Sequence, residues 1–399
     1  MNYKQLISDR LGGALFYQNS YYKFEKYSRL KQNYINSHND ELLDFGIGEG
    51  DDMPPFNVLD VLSKESIKYE NRIYSDNGID EFKIACSKHL LDIYNVKIND
   101  PINQINHCIG AKSALTIIPI SFVSKDDIII STTPGYEVLA NMSSWLNGKI
   151  YKVPLLKENN FLPDLDSIPI EIYEKCKIFS INYPNNPTGA IANKDFYEKL
   201  VNLALKHNFI IVNDMAYGPF SYKKRPLSIF SIPDAFKCAI EIHTLSKAFN
   251  MTGMRIGFVV SNNELIDIFK KVKDNIDSGQ YIPIQKAAIE AYNNSYPYLK
   301  RLTNKYYERM KRVSKILRNN NMSAKVSDGT FYLYVKVPEN FDSADAFCRY
   351  LLDNCGIFTI PWDEVEPYVR LSMTFKISST EENFYITLNE RLQKIKKSR

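Results

Sequence analysis

The feature that most constrains this chain is an alternation that runs from about residue 80 to residue 260. Short runs rich in β-branched residues, such as Ile128-Ile129-Ile130 and Ile210-Ile211-Val212, are separated by segments with apolar residues at helical spacing. A strand that is apolar on both faces must be covered on both faces, and the intervening helices supply the cover. The pattern predicts strands at 105–109, 127–131, 150–153, 177–181, 209–213, 239–244 and 255–260. Helices at 79–94, 112–122, 136–146 and 194–207 fall between them. This is the signature of an α/β domain with a mainly parallel, buried sheet.

The flanks read differently. Ahead of the alternation lie a helix near 20–33, a short strand entering the Gly-rich turn Gly46-Ile47-Gly48-Glu49-Gly50, and a helix at 57–69 after Met53-Pro54-Pro55. Behind it come a long helical region, 265–319, and a period-two strand at Thr330–Val337. A helix at 344–353, strands near 357–360 and 368–372, and a final helix at 380–396 complete a smaller α+β domain. The expected division is an N-terminal segment, 1–50, packing with the small domain; a large domain, 51–290; and a small C-terminal domain, 291–399.

With 399 residues the chain has room for two domains. Its formal charge is +4 with Lys and Arg scattered along it, so no footprint for nucleic acid is present. The six cysteines form no C-x-x-C pair and the five histidines have no metal-ligand spacing, so no metal is expected. Cysteines in apolar runs, such as Cys108 and Cys238, read as buried free thiols. The start has no apolar signal core and no run is long enough to span a membrane, which makes a cytoplasmic protein the expectation.

Ligands of open α/β sheets bind beyond the carboxyl ends of the strands. Four chemically suited residues fall at such ends: Gly110, Asn186, Asp214 and Lys247. Lys247 follows a strand in the apolar setting Thr244-Leu245-Ser246-Lys247-Ala248-Phe249. Desolvation there favours the neutral amine, which can form an imine with an aldehyde and then shuttle a proton. Most lysines are surface residues; strand-end placement sets this one apart. Asp214 ends Ile210-Ile211-Val212-Asn213 and is suited either to capping a helix or to holding a proton on a heterocyclic nitrogen. Tyr217, three residues on, is within reach of a ring oxygen, as is Asn186 in Asn185-Asn186-Pro187-Thr188-Gly189; turn chemistry alone accounts for the proline and glycine.

Gly110-Ala111-Lys112-Ser113 closes a strand and opens a helix whose free N–H groups suit a phosphate. Ser246 and Arg255 add a hydroxyl and a guanidinium to that seat. Tyr136, after Pro134-Gly135, belongs either over a ring or in the core. Arg370 is a guanidinium inside the apolar strand Tyr368-Val369-Arg370-Leu371-Ser372, and it needs a carboxylate, from the protein or from a substrate. An imine-forming lysine, a carboxylate and a phosphate seat are together what pyridoxal 5'-phosphate (PLP) requires.

In order and spacing, Asn-Asn-Pro-Thr-Gly (185–189), Asp214-x-x-Tyr217, Ser246-Lys247 and Arg255 resemble the class I/II aminotransferases of PLP fold type I, over nearly the whole chain. The resemblance implies the aspartate aminotransferase-like fold: a large domain with a mainly parallel seven-stranded sheet, plus a smaller α+β domain. It implies Lys247 as the Schiff-base lysine and Asp214 as the partner of the ring nitrogen. Asn186 and Tyr217 would contact the ring hydroxyl, Tyr136 the ring face, and Gly110, Ala111, Lys112, Ser246 and Arg255 would surround the phosphate. Arg370 would take the substrate carboxylate, with Gly48, Tyr136 and Asn186 in the same pocket. Tyr74 matches a tyrosine that in this family reaches the neighbouring subunit's phosphate, which implies a homodimer.

Asp44–Met53, Glu70–Gly78, Ser246–Gly257 and Pro361-Trp362-Asp363-Glu364 are similar to the LL-diaminopimelate aminotransferase branch, and Tyr22 matches its substrate-gating segment. The implied reaction is a ping-pong transfer between an L-amino acid, LL-diaminopimelate foremost, and a 2-oxo acid such as 2-oxoglutarate. Lys112 and Tyr22 would address the far end of that substrate. A broader aspartate/alanine-type aminotransferase and a carbon–sulfur β-lyase share the fold and stay open as alternatives. Met254, where many relatives carry tryptophan, and Ser278, where some place an asparagine, depart from the pattern.

Overall fold

Residues 3–13, 23–38 and 41–397 are described by the computed structural model. A first short strand, β1 (Leu43–Asp44), precedes the seven that the alternation predicts. These are β2 (Ile105–Cys108), β3 (Ile128–Thr133), β4 (Lys149–Pro154), β5 (Cys176–Asn182), β6 (Ile210–Asp214), β7 (Ala239–Thr244) and β8 (Gly257–Val260). They form one sheet in the order β2-β8-β7-β6-β5-β3-β4. The ladders from β4 to β7 are all parallel, and β8 is antiparallel to both of its neighbours. Every residue of β2, β7 and β8 is buried, as strands covered on both faces must be.

Two expectations about boundaries need correction. The last strand of this sheet begins at Gly257 rather than Arg255, because Arg255 has φ +54, a left-handed conformation that no strand residue adopts. The helical region expected at 265–319 is three helices, Asn263–Lys273, Ile282–Asn294 and Tyr296–Asn319. The first break is the loop at 274–281. There Gly279 takes φ +94, and a Cβ would meet the Asp76 backbone nitrogen at 2.5 Å. The second break is at Ser295, with Pro297 in the first turn of the next helix, where a missing N–H costs nothing.

A second, three-stranded antiparallel sheet has the order β11-β12-β9, built from β9 (Tyr332–Lys336), β11 (Ile360–Trp362) and β12 (Tyr368–Ser372). The remaining strand, β10 (Ile357–Phe358), pairs in parallel with β1. The helix Lys23–Ser37 is tied to the helix Ala344–Cys355 through Lys26 and Tyr27, both bonded to Asp345. All six cysteines are buried and unbridged. Among the described residues no helix is long and apolar enough to cross a membrane, and no group of three or more His, Cys, Asp or Glu is placed to hold a metal.

Candidate active site

A cavity of about 510 Å³ opens beyond the carboxyl ends of β5, β6 and β7, whose terminal residues Asn182, Asp214 and Thr244 line it. The parallel register sets Asn182 beside Asp214, so the ends of the strands deliver side chains to one place. Lys247 lines the same cavity from the short helix Leu245–Ala248, which Thr244 caps by accepting the Ser246 N–H. Its Nζ donates to the Gly48 carbonyl at 2.6 Å. Enclosure by protein pushes the Lys247 amine down to about 8, with Arg370 and Arg255 adding to the effect and Glu49 opposing it. Asp214 is pushed the other way, up to about 6, because burial disfavours its charge. The Asp214 carboxylate accepts the Ala216 N–H at 2.9 Å, a local turn bond rather than a helix cap.

The cavity has a cationic, donor-rich end. Ala111 and Lys112 line it at the N-terminus of the helix Ala111–Phe122, and Ser246, Thr252 and Arg255 face them. Gly110 has φ +73, and a Cβ there would lie 2.5 Å from Arg255 Nη2, so only glycine lets the guanidinium settle against this helix start. Arg255 is fixed by donating to the Thr252 carbonyl at 2.7 Å. Ser246 and Thr244 share a hydroxyl bond of 2.9 Å. Free helix N–H groups, two hydroxyls and a guanidinium together make a seat for a phosphate dianion.

Arg370, on β12, forms another wall and is 2% exposed. It donates to Asn186 Oδ1 at 3.0 Å and to the Gly46 carbonyl at 2.8 Å. Its guanidinium also lies over the Tyr332 ring, 4.3 Å from the centroid. Tyr217 is buried and shares a hydroxyl bond of 2.7 Å with Tyr332. Gly48 completes this corner: a Cβ would come within 2.2 Å of Tyr332 Oη. Asn186 and Tyr136 line the cavity too.

Two of the residues singled out in the sequence do not join this group. Tyr74 is 81% exposed and lies outside the cavity lining. Tyr22 lies outside the described residues. Conversely, the sequence reading passed over several groups that line the cavity: Tyr332, Asn182, Glu49, Ser28 and Lys31. Asn182 ties the site together, donating to the Asp214 carbonyl at 2.7 Å and accepting the Asn186 N–H at 2.9 Å. It stands in the same turn-rich segment as Asn186, so its position was visible but its task was not. Tyr332 is one of 27 tyrosines, and nothing local distinguishes it.

The arrangement combines an amine of lowered basicity, a buried carboxylate, a phosphate seat and a guanidinium for a second anion. Residues 40–383 match the family described as aminotransferase class I and II, and the chain belongs to it. Among curated relatives, the LL-diaminopimelate aminotransferase of Methanocaldococcus jannaschii is 44% identical, covering 98% of this chain and 94% of that protein. The LL-diaminopimelate aminotransferase of Aquifex aeolicus is 39% identical over 88% of this chain and 92% of its own length. Among solved structures, substrate-bound BacF from Bacillus subtilis superposes with a TM-score of 0.87 at 28% identity, covering 93% of this chain and 94% of that one. Aspartate aminotransferase from Thermus thermophilus, at 22% identity and a TM-score of 0.86 over 98% of this chain and 99% of its own, shares the fold. The chain therefore has PLP fold type I and is an aminotransferase.

Proposed function

We propose that the chain binds PLP and moves the amino group of LL-diaminopimelate to a 2-oxo acid, with 2-oxoglutarate the first candidate acceptor. The observation that carries this reading is the presence of Lys247, Asp214 and Arg255 around one cavity. The names of the Methanocaldococcus and Aquifex relatives support the choice of substrate. The donor set suits PLP. Lys247 would hold its aldehyde carbon, Asp214 its ring nitrogen, and Asn186 and Tyr217 its ring hydroxyl. Ala111, Lys112, Ser246 and Arg255 would hold its phosphate, and Tyr136 would cover its ring. Bound there, PLP supplies an electron sink for charge that develops at the amino-acid Cα.

The protein's own groups do the rest. Lys247, with its amine pushed down to about 8, has a sizeable neutral fraction near neutral pH, and its Nζ takes and returns the Cα proton. Asp214 keeps the ring nitrogen's proton in place while negative charge spreads. Arg370 takes the substrate α-carboxylate as a bidentate pair, its orientation fixed by Asn186 and Gly46. Lys112 and Tyr22 are the candidates for the far end of diaminopimelate. We also infer a homodimer in which Tyr74 serves the neighbouring site: exposed apolar residues such as Phe56, Ile67 and Tyr74 suit an interface.

Steady-state kinetics with LL-diaminopimelate, aspartate, alanine and glutamate test the substrate. A kcat/KM for diaminopimelate at least about tenfold above the others is expected, a gap of about 1.4 kcal/mol. A smaller gap favours the aspartate/alanine-type enzyme. Pyruvate release from cystathionine without an added oxo acid would point to the β-lyase, which the aminotransferase relatives do not favour.

A further inference from the structure

Arg255 holds its place in the phosphate seat with a disfavoured backbone. Its φ is +54 and its ψ is +58, left-handed values at which a Cβ crowds the following carbonyl oxygen. A residue other than glycine stays there only when its surroundings fix it. Here the peptide groups on both sides are held. The carbonyl of Ile256, after it, accepts from Thr244 Oγ1 at 2.8 Å and from the Leu245 N–H at 3.3 Å. The carbonyl of Met254, before it, accepts from Gln280 Nε2 at 2.8 Å. Rotation about φ of Arg255 moves the whole Met254–Arg255 peptide plane, and so carries that carbonyl away from its donor. The end of β7 therefore holds one side of the turn and the Gln280 amide holds the other.

Gln280 is 8% exposed and reaches this turn from the loop 274–281, 26 residues further along the chain. Its own backbone is fastened. Its carbonyl accepts from Ser75 Oγ at 2.6 Å and from Gln285 Nε2 at 2.9 Å, and Gln285 also donates to Ser75 Oγ at 2.8 Å. The Asp76 N–H donates to the Ser278 carbonyl at 3.1 Å. Lys273, which is 0% exposed, closes the base of the loop by donating to the Asp76 carbonyl at 2.7 Å and to the Asp277 carboxylate at 2.6 Å. A buried ammonium must be paired, and the partners of this one belong to the two segments it joins. A glutamine anchored in this way presents its amide to Met254 in a fixed direction.

We propose that Gln280 is a positioning residue for Arg255: its amide pins the Met254 carbonyl and so holds the left-handed turn that aims the guanidinium at the cofactor phosphate. The proposal rests on the reading of Arg255 as a phosphate ligand. Without the pin, the turn relaxes toward the extended conformation in which the chain continues as β8, and the guanidinium leaves the helix start at Gly110.

Calorimetry of the cofactor-free protein with three probes tests this: inorganic phosphate, PLP, and pyridoxal, which lacks the phosphate. Gln280→Met removes the donor and keeps the length of the side chain; Gln280→Leu makes the same cut if the first variant does not fold. The Kd for PLP should rise about tenfold, the loss expected when a guanidinium–phosphate contact is misaligned, and the Kd for phosphate should rise by a similar factor. The Kd for pyridoxal should change less than about twofold. In an Arg255→Gln background, adding Gln280→Met should alter PLP affinity less than about twofold, because the group it positions is gone. Unchanged PLP affinity in a folded variant overturns the proposal. Equal losses for PLP and pyridoxal, or losses that add in the double variant, also overturn it, since both mark a general structural role. Weakened phosphate binding in the variants, with a parent protein that binds phosphate but no PLP, would keep the positioning role and refute the cofactor reading. A parent protein that binds no phosphate refutes the seat and the proposal with it.

Discussion

At one end of the cavity, Asp214, Thr244, Ser246 and Lys247 come from the last residues of adjacent strands and the turn that follows. At the other, Ser28 and Lys31 come from the N-terminal helix, Gly46 and Glu49 from the turn after β1, and Phe358 and Ile360 from the C-terminal part. The strand-end groups are placed by the hydrogen-bond ladder of a buried sheet, and Asp214 is 6% exposed. The rim groups are placed by packing between segments more than 300 residues apart. Lys31, paired there with Asp44, keeps 24% of its side chain exposed. The contrast separates two tasks. A desolvated end can tune pKa values and stabilise charge, whereas a rim assembled from several segments, with Ser28, Lys31 and Glu49 reaching solvent over the buried Phe358 and Ile360, can change its selectivity without disturbing the chemistry.

The comparison is broken most readily at Lys247. Replacing it with alanine should lower turnover at least about 10⁴-fold, since both the covalent anchor and the proton carrier are lost. Turnover within tenfold of the parent would mean that the strand ends do not hold the chemistry. Asp214→Ala should lower kcat about 10²–10³-fold with PLP retained, as expected for a charge used mainly in the transition state. A purely structural role would instead release the cofactor. Arg370→Lys sharpens the account of substrate capture. It loses the planar fork, so KM for every amino acid should rise by about 100-fold with kcat changed far less.

Asp214 also yields a stability prediction for the protein without cofactor. Its carboxyl is pushed up to about 6 by burial, above an unfolded value of about 4. Between those pH values the folded state holds a proton that the unfolded state has lost. This group therefore lowers stability as pH rises through the window and leaves a deficit on the order of 3 kcal/mol above it. Asp214→Asn should remove that pH dependence and raise the cofactor-free melting temperature at pH 7. A lower melting temperature with the dependence intact would contradict the assignment. The smallest effect is expected at the rim. Lys31→Gln should change kcat/KM for diaminopimelate less than about tenfold and leave alanine unaffected, because a partly exposed ion pair contributes little. A loss shared by all substrates would place Lys31 with the strand-end groups instead.

The sequence made the chemical end legible because its residues are close together in the chain. Ser246 and Lys247 are adjacent, Asp214 ends the strand that the apolar run Ile210-Ile211-Val212 opens, and Gly110-Ala111 marks a strand-to-helix turn. The seven-strand alternation was equally plain, since strands buried on both faces leave continuous apolar runs. What stayed hidden depends on long-range packing. Arg370 meets Gly46 and Asn186 from more than 180 residues away, and no periodicity announces that contact. Tyr332 looks like any other aromatic in a strand. Arg255 was assigned to β8 because Ile256-Gly257-Phe258 reads as extended, while the left-handed turn that aims its guanidinium leaves no mark of its own.

Reduction of the PLP-loaded protein with borohydride, followed by peptide mapping, tests the central claim most directly. The account predicts one pyridoxyl adduct per chain, on the peptide containing Lys247. An adduct on a different lysine, or none while the cofactor stays bound, would contradict it.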